Sequence, residues 1–383
     1  MKTGSVAIMP PGALGVSFFY YLTDSLQRLE GDVFLVGLDD SRSIDSLLQS
    51  GIQISDGNGL HQLPTIGNVF RNLDDVRSTS QLPEILIACP NPDQLLQVIS
   101  TYVALIERIW AANPVADELR KIPAVVLSSN GIYFQRVRQM FIEKLEESTL
   151  LGRLPDLWPD EMPHIVGHLL RGVTVQTGAR FGSGGATTYS PGPSGLSILA
   201  GGGVAVRQRC YLVLKELGAR VELAENSSPT RLEFEKAVIN LTSNLLGLLY
   251  ALQDDGSFQS LKVGEIVFGE RENAARELSR QVFEVGCAVK AFTPADDFDT
   301  IYSAIALRMQ GVRNHVPSSL QAVKIQIDSG KLEVKCPPTE SWLLDPLVHY
   351  ARSAGLTDAV SYFEGLREQL IVKLQKAADV MSS

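Results

Sequence analysis

Four short, almost unbroken apolar runs in the first third of the chain constrain the fold more than any other feature. They are SVAIM at 5–9, DVFLVGL at 32–38, ILIAC at 85–89 and AVVLS at 124–128. A strand with one face in water alternates apolar and polar residues, whereas a strand covered on both faces reads as a continuous apolar run. Segments of helical character lie between them, near 16–29 and 93–112. Buried strands separated by helices form parallel sheets, and right-handed crossovers make this a doubly wound α/β domain. Residues 1–226 are therefore expected to form a Rossmann-like dinucleotide-binding domain, completed by a helix at 204–217 and a strand at 220–223. Within it, 133–163 is charged, then rich in Pro, Asp and Glu, and reads as an inserted excursion from the sheet. After the turn-forming Asn226-Ser227-Ser228-Pro229 the texture changes to long helical patterns. Residues 227–383 are expected to be an all-helical domain for substrate binding and dimerisation, which allows a homodimer.

Composition narrows the function. The chain has 383 residues, 45% hydrophobic and 20% charged, enough to bury a large core without staples. A formal charge of -9 repels a phosphate backbone, so nucleic acid is not an expected partner. The four cysteines are far apart and form no C-x-x-C pair, which reads as free thiols in a reducing compartment. The N-terminus lacks a signal-like apolar core, and no run of about 18 apolar residues stands out. A cytoplasmic protein without membrane spans is the expectation.

Three constellations carry chemistry. The first is Pro10-Pro11-Gly12-Ala13-Leu14-Gly15, between the first strand and the first helix. Gly12 and Gly15 occupy the second and third glycine positions of G-x-G-x-x-G, and Pro10 replaces the first. Such a turn offers backbone N–H groups and a helix N-terminus to a pyrophosphate; a plain strand-to-helix turn has the same appearance. Asp39 ends the second strand, where a carboxylate would bond a ribose 2′-OH and repel the 2′-phosphate of NADP. Arg42, three residues on, could instead meet that phosphate, and a solvated loop accounts equally for both.

The second is the helical stretch 231–252, RLEFEKAVINLTSNLLGLLYAL, whose second half is apolar nearly all round. Lys236, Asn240 and Asn244 recur every four residues and drift only ~40° per step around an α-helix. A lysine in line with two asparagines on a buried helix makes either a polar ligand pocket or a wet interface stripe. The third is a pair of termini. Asn130-Gly131 follows the fourth strand, at the carboxyl end where α/β sheets bind ligands, or is simply an Asn-Gly turn. Ser318-Ser319 precedes a helix, as an N-cap would. His164 and His168 have the i, i+4 spacing of metal ligands, but no H-E-x-x-H accompanies them and the flanking Gly167 and VTV suggest an approach to a strand. No metal site and no G-x-S-x-G elbow is expected.

Taken together, these segments resemble the ketopantoate reductase (2-dehydropantoate 2-reductase) family. Residues 11–15 match the end of its G-x-G-A-x-G, 129–131 its N-G after a strand, and 172–179 its G-x-T-x-x-x-A segment. Lys236, Asn240 and Asn244 fit K-x-x-x-N-x-x-x-N, 317–321 resemble S-S-M-x-Q, and 330–334 resemble G-R-x-T-E-I-D with one residue fewer. The resemblance implies NADPH-dependent reduction of ketopantoate or a related small 2-keto acid to the 2-hydroxy acid, with NAD as the other cofactor because of Asp39. It implies Lys236 as general acid, and Glu333 pairing with a substrate hydroxyl or tuning Lys236. Asn240, Asn244 and Ser319 would hold substrate, and Asn130 would orient substrate and lysine beside the nicotinamide. Gly12, Ala13, Leu14, Gly15, Asp39, Arg42 and Asn130 would contact the cofactor. The site would lie between the two domains. Departures cluster on the cofactor side: Pro10, Asp39, Cys89-Pro90-Asn91 in place of a lysine, and the long 133–163 segment. They favour a rival reading, a degenerate member that binds a metabolite or partner without hydride transfer.

Overall fold

The computed structural model describes residues 4–24, 33–38, 42–63, 65, 67–79, 82–153, 158–182 and 187–382, with the side chains of 24, 42–43 and 77–79 outside that description. It divides into two compact units. One comprises Met1–Ser129 and Phe134–Pro229, the other Asn130–Tyr133 and Thr230–Ser383.

The strands of the first unit are, in chain order, β1 (Val6–Met9), β2 (Val33–Val36), β3 (Ile52–Asp56), β4 (Gly59–Leu63), β5 (Val69–Phe70), β6 (Ile85–Ala88), β7 (Ala124–Leu127), β8 (Leu169–Thr174), β9 (Gly178–Phe181), β10 (Thr188–Pro191), β11 (Ser197–Gly201) and β12 (Val221–Leu223). Eight form one sheet in the order β12-β11-β8-β7-β6-β1-β2-β5. From β5 to β8 every pairing is parallel, while β11 runs antiparallel to β8. The four apolar runs supply β1, β2, β6 and β7, each buried at every position. Strand order reverses at β1, between β2 and β6. That is the switch point at which doubly wound sheets bind ligands beyond the strand ends.

Two parts of this unit differ from expectation. Residues 133–163 are not an excursion: they supply the helices Phe134–Glu147, Thr149–Arg153 and Trp158–Val166, the crossover joining parallel β7 and β8. Phe134, Val137, Phe141 and Leu145 form its buried stripe, and the Phe141 ring lies 5.4 Å from that of Tyr102. Tyr102 belongs to the helix Leu95–Ala112, whose only charged residues are Glu107 and Arg108. By length and mean hydropathy (1.3 over Pro92–Ala112) this helix could cross a membrane, which the sequence did not suggest; half of it is buried within the fold.

The second difference is a separate four-stranded sheet, β4-β3-β10-β9, built from two distant segments. It covers the helix Ala13–Asp24: Tyr20 donates to Asp56 at 2.6 Å and Tyr21 to the Gly192 carbonyl at 2.6 Å. Gly178 of β9 passes so close that a Cβ there would lie 2.5 Å from the Ala13 carbonyl oxygen.

In the second unit the described residues contain helices and no named strand. Its central helix runs from Pro229 to Ala251 and buries Phe234, Ala237, Leu241, Leu245 and Leu248. Around this axis pack Glu272–Ala288, Phe298–Gln310, Ser318–Asp328, Pro338–Ser353 and Thr357–Ser382, which share one apolar core. Residues 130–133, expected in the first domain, belong here because Ile132 is 1% exposed within that core.

Candidate active site

In the first unit the glycine turn follows β1 at the switch point. Gly12 donates its N–H to the Pro10 carbonyl at 2.9 Å, and Val16 begins the helical bonding by donating to Gly12 at 2.9 Å. The N–H groups of Ala13, Leu14 and Gly15 have no acceptor among the described residues, as expected of the first turn of a helix. Space around Gly12 is open, whereas a Cβ on Gly15 would sit 2.5 Å from the Pro10 carbonyl oxygen. The turn thus presents three N–H donors at the positive end of a helix dipole, which suits the pyrophosphate of a dinucleotide. Asp39 lies outside the described residues, and Arg42 is described only by its backbone, at the start of Arg42–Ser50.

Replacing Gly15 by alanine is expected to destabilise the chain by about 1–3 kcal/mol, the usual cost of overpacking. Urea unfolding measures this directly. An unchanged midpoint would mean that the turn does not close on Pro10 as described.

The second unit holds the lysine–asparagine stripe. Lys236 Nζ donates to Asn130 Oδ1 at 2.6 Å, across 106 residues of sequence. Asn130 is followed by Gly131 at φ +111°, where a Cβ would lie 2.1 Å from the Tyr133 ring, so only glycine makes this bend. The stripe is not a continuous α-helix: residues Leu241–Leu245 form a π-turn. Thr242 Oγ1 and Ser243 Oγ donate back to the carbonyls of Val238 and Ile239, each at 2.6 Å, as hydroxyls do where a helix widens. A π-turn holds ~4.4 residues, so four residues fall back by roughly 35° where an α-helix advances ~40°. The widening therefore returns Asn244 to within about 10° of the azimuth of Lys236, instead of roughly 80° away.

Asn244 is buried, and its Oδ1 accepts the Ser319 N–H at 3.4 Å. Asn240 is half-buried, and its side chain has no hydrogen-bond partner among the described residues. A free amide one turn from an ammonium group is equipped to hold a polar ligand. Lys236, Asn130 and Asn240 form one end of the stripe, while Asn244 and Ser319 form the other.

Glu333 does not join them. It is exposed, and its carboxylate pairs with Lys335 at 2.9 Å. The carboxylate beside Ser319 is Glu340, in the first turn of Pro338–Ser353 and 1% exposed. Ser319 Oγ donates to Glu340 Oε1 at 2.5 Å, and Oε2 is buried with no partner among the described residues. Burial pushes this carboxyl up to about 7, only partly offset by the bond from Ser319. The signal was present in the sequence: Thr339-Glu340 matches the T-E of G-R-x-T-E-I-D if a longer gap is accepted. Among the described residues no cluster of three or more His, Cys, Asp and Glu could hold a metal. His164 lies in the helix Trp158–Val166, His168 directly precedes β8 as the flanking residues suggested, and His168 Nδ1 lies 2.9 Å from the His164 carbonyl.

No family model and no curated protein sequence matches the chain. Solved structures do. D-mandelate dehydrogenase with NADH and anilino(oxo)acetate is 15% identical, covers 99% of this chain and 100% of that one, and superposes with a TM-score of 0.62. The 2-dehydropantoate 2-reductase from Geobacter metallireducens GS-15 is 16% identical, covers 95% and 99%, and gives 0.58. The enzyme of the same name from Methylococcus capsulatus is 16% identical, covers 97% and 98%, and gives 0.57. At such identities the likeness establishes a shared fold: a parallel-dominated α/β sheet followed by a helical C-terminal region.

Proposed function

We propose that the chain is a divergent relative of the ketopantoate reductases and reduces a small 2-keto acid to the 2-hydroxy acid with a reduced nicotinamide cofactor. The observation that carries this reading is the Lys236–Asn130 contact at 2.6 Å beside an Asn240 amide with no described partner. The bound dihydronicotinamide would supply the hydride. Lys236 is the proton donor to the carbonyl oxygen, and its charge stabilises the alkoxide developing there. Asn130 orients the ammonium group through Oδ1, and Asn240 offers its amide to the substrate. Asn244, Ser319 and Glu340 form a polar cluster, in which Glu340 accepts the Ser319 hydroxyl and fixes its orientation. The N–H groups of Ala13, Leu14 and Gly15 would hold the pyrophosphate.

A second reading has one observation in its favour. Gly12 already donates its N–H to Pro10, and β9 lies against the Ala13 carbonyl, which leaves less of the turn for a nucleotide. A chain that binds a metabolite without hydride transfer accommodates both facts. Titration with NADH and with NADPH, followed by reduced-nicotinamide fluorescence, separates the readings. Saturable micromolar binding is expected, with the preferred nucleotide deciding between roles for Asp39 and Arg42. Absence of binding by either would overturn the reductase reading. With binding in hand, a panel including ketopantoate and the keto acid corresponding to mandelate would identify the substrate.

A further inference from the structure

We infer that Glu233 is a positioning residue, which holds the 130–133 segment against the central helix so that Asn130 meets Lys236. The inference rests on the reductase reading for its link to activity, but not for its geometry. Glu233 is only 2% exposed, between the apolar Leu232 and Phe234. Burying a carboxylate is costly unless it is hydrogen-bonded, so a glutamate here needs a reason beyond packing. Its Oε1 accepts the Tyr133 N–H at 3.3 Å, across 100 residues of sequence. It also stands three residues before Lys236, on the same side of the helix and one turn away.

The helix therefore bonds to the segment near both of its ends. Glu233 takes its last residue through the backbone, and Lys236 takes its first through the Asn130 side chain. Between them Ile132 is buried in the core of the helical unit, and Gly131 makes the bend that only glycine allows. With both ends held, the Asn130 amide has few ways to turn from the ammonium group. Without Glu233, the Tyr133 N–H loses a buried acceptor, and the contact of Asn130 with the flexible Lys236 loses its companion at the other end of the segment. A carboxylate also makes the stronger, charge-assisted bond to a backbone N–H.

The test uses the full chain with Glu233→Ala, Glu233→Gln and Asn130→Ala, separately and combined. Two readouts are followed: hydrogen exchange at the Tyr133 amide, and kcat and KM for the keto acid. Glu233→Ala is expected to speed Tyr133 exchange by at least tenfold and to lower kcat by about tenfold with little change in KM for the nucleotide. Glu233→Gln keeps an oxygen acceptor and is expected to restore most of both. Combined with Asn130→Ala, Glu233→Ala is expected to add little further loss in kcat, because both remove the same orientation. Unchanged Tyr133 exchange in Glu233→Ala would overturn the inference, as would a full additive loss in the double variant. Failure of the glutamine variant to restore exchange would also overturn it, because an oxygen acceptor at that position would then not be what holds the Tyr133 N–H. If the wild-type chain turns over no keto acid, the reductase reading fails while the exchange measurement still decides the role of Glu233.

Discussion

Lys236→Ala is expected to lower kcat by ~10²–10⁴-fold, the range over which a positioned general acid contributes. The loss should appear equally in kcat and kcat/KM if the ammonium group acts chiefly on charge that develops during reduction. Binding of the reduced nucleotide should remain within about twofold, since the pyrophosphate donors proposed above are the backbone groups of Ala13, Leu14 and Gly15. Lys236→Arg is a sharper comparison. It preserves charge, but its planar fork cannot reproduce the compact ammonium that meets Asn130 at 2.6 Å, and its proton is too tightly held to be donated. Most of the activity should therefore be lost there as well. Retention of full activity in either variant would remove Lys236 from the chemistry.

The second large effect concerns Glu340. Its carboxyl is raised from 4.5 to about 7 because it is buried, so the folded chain holds this proton more tightly than the unfolded chain does. Stability must then fall as pH rises from about 4.5 to about 7, and level off above that, since the unfolded chain releases the proton first. The fall attributable to this one group is on the order of 3 kcal/mol. Glu340→Gln keeps an acceptor for Ser319 and has no proton to lose. It is expected to unfold at a higher urea concentration than wild type at pH 8, with the advantage shrinking toward pH 5. The pH profile of kcat/KM should show an ionisation near 7 that is absent from the glutamine variant. Equal pH dependence of stability in the two chains would mean that the carboxyl is not buried as described.

The parts of the fold that could be read from sequence are those whose signal is local. Continuous apolar runs marked β1, β2, β6 and β7 because both faces of a central parallel strand are covered. The β3–β4 hairpin was missed. β4 is almost wholly exposed and carries no apolar pattern, although Ile52 and Ile54 alternate inward and Asp56-Gly57-Asn58-Gly59 is a strong turn signal. The crossover 134–166 was mistaken for an excursion because its charged outer face outweighed the buried stripe of Phe134, Val137, Phe141 and Leu145.

The candidate site divides in the same way. The spacing of Lys236, Asn240 and Asn244 was visible, but an α-helical wheel does not show the π-turn that returns Asn244 toward the azimuth of Lys236. Partners more than 100 residues apart, such as Asn130 with Lys236, leave no trace in spacing. Glu333 was singled out by its place in 330–334, and Glu340 was not considered. Burial, which distinguishes the two carboxylates, depends on the tertiary fold.

The placement of residues 130–133 with the helical unit also has a consequence during synthesis. Ile132 and the Tyr133 N–H leave the ribosome before Glu233, their neighbour in the finished fold, has been made. At typical elongation rates, those intervening residues take roughly 5–20 s. Throughout that interval a buried anchor of the finished protein has nothing to anchor to. A pause in translation between the two positions would lengthen the exposure of Ile132, whereas a faster ribosome would shorten it.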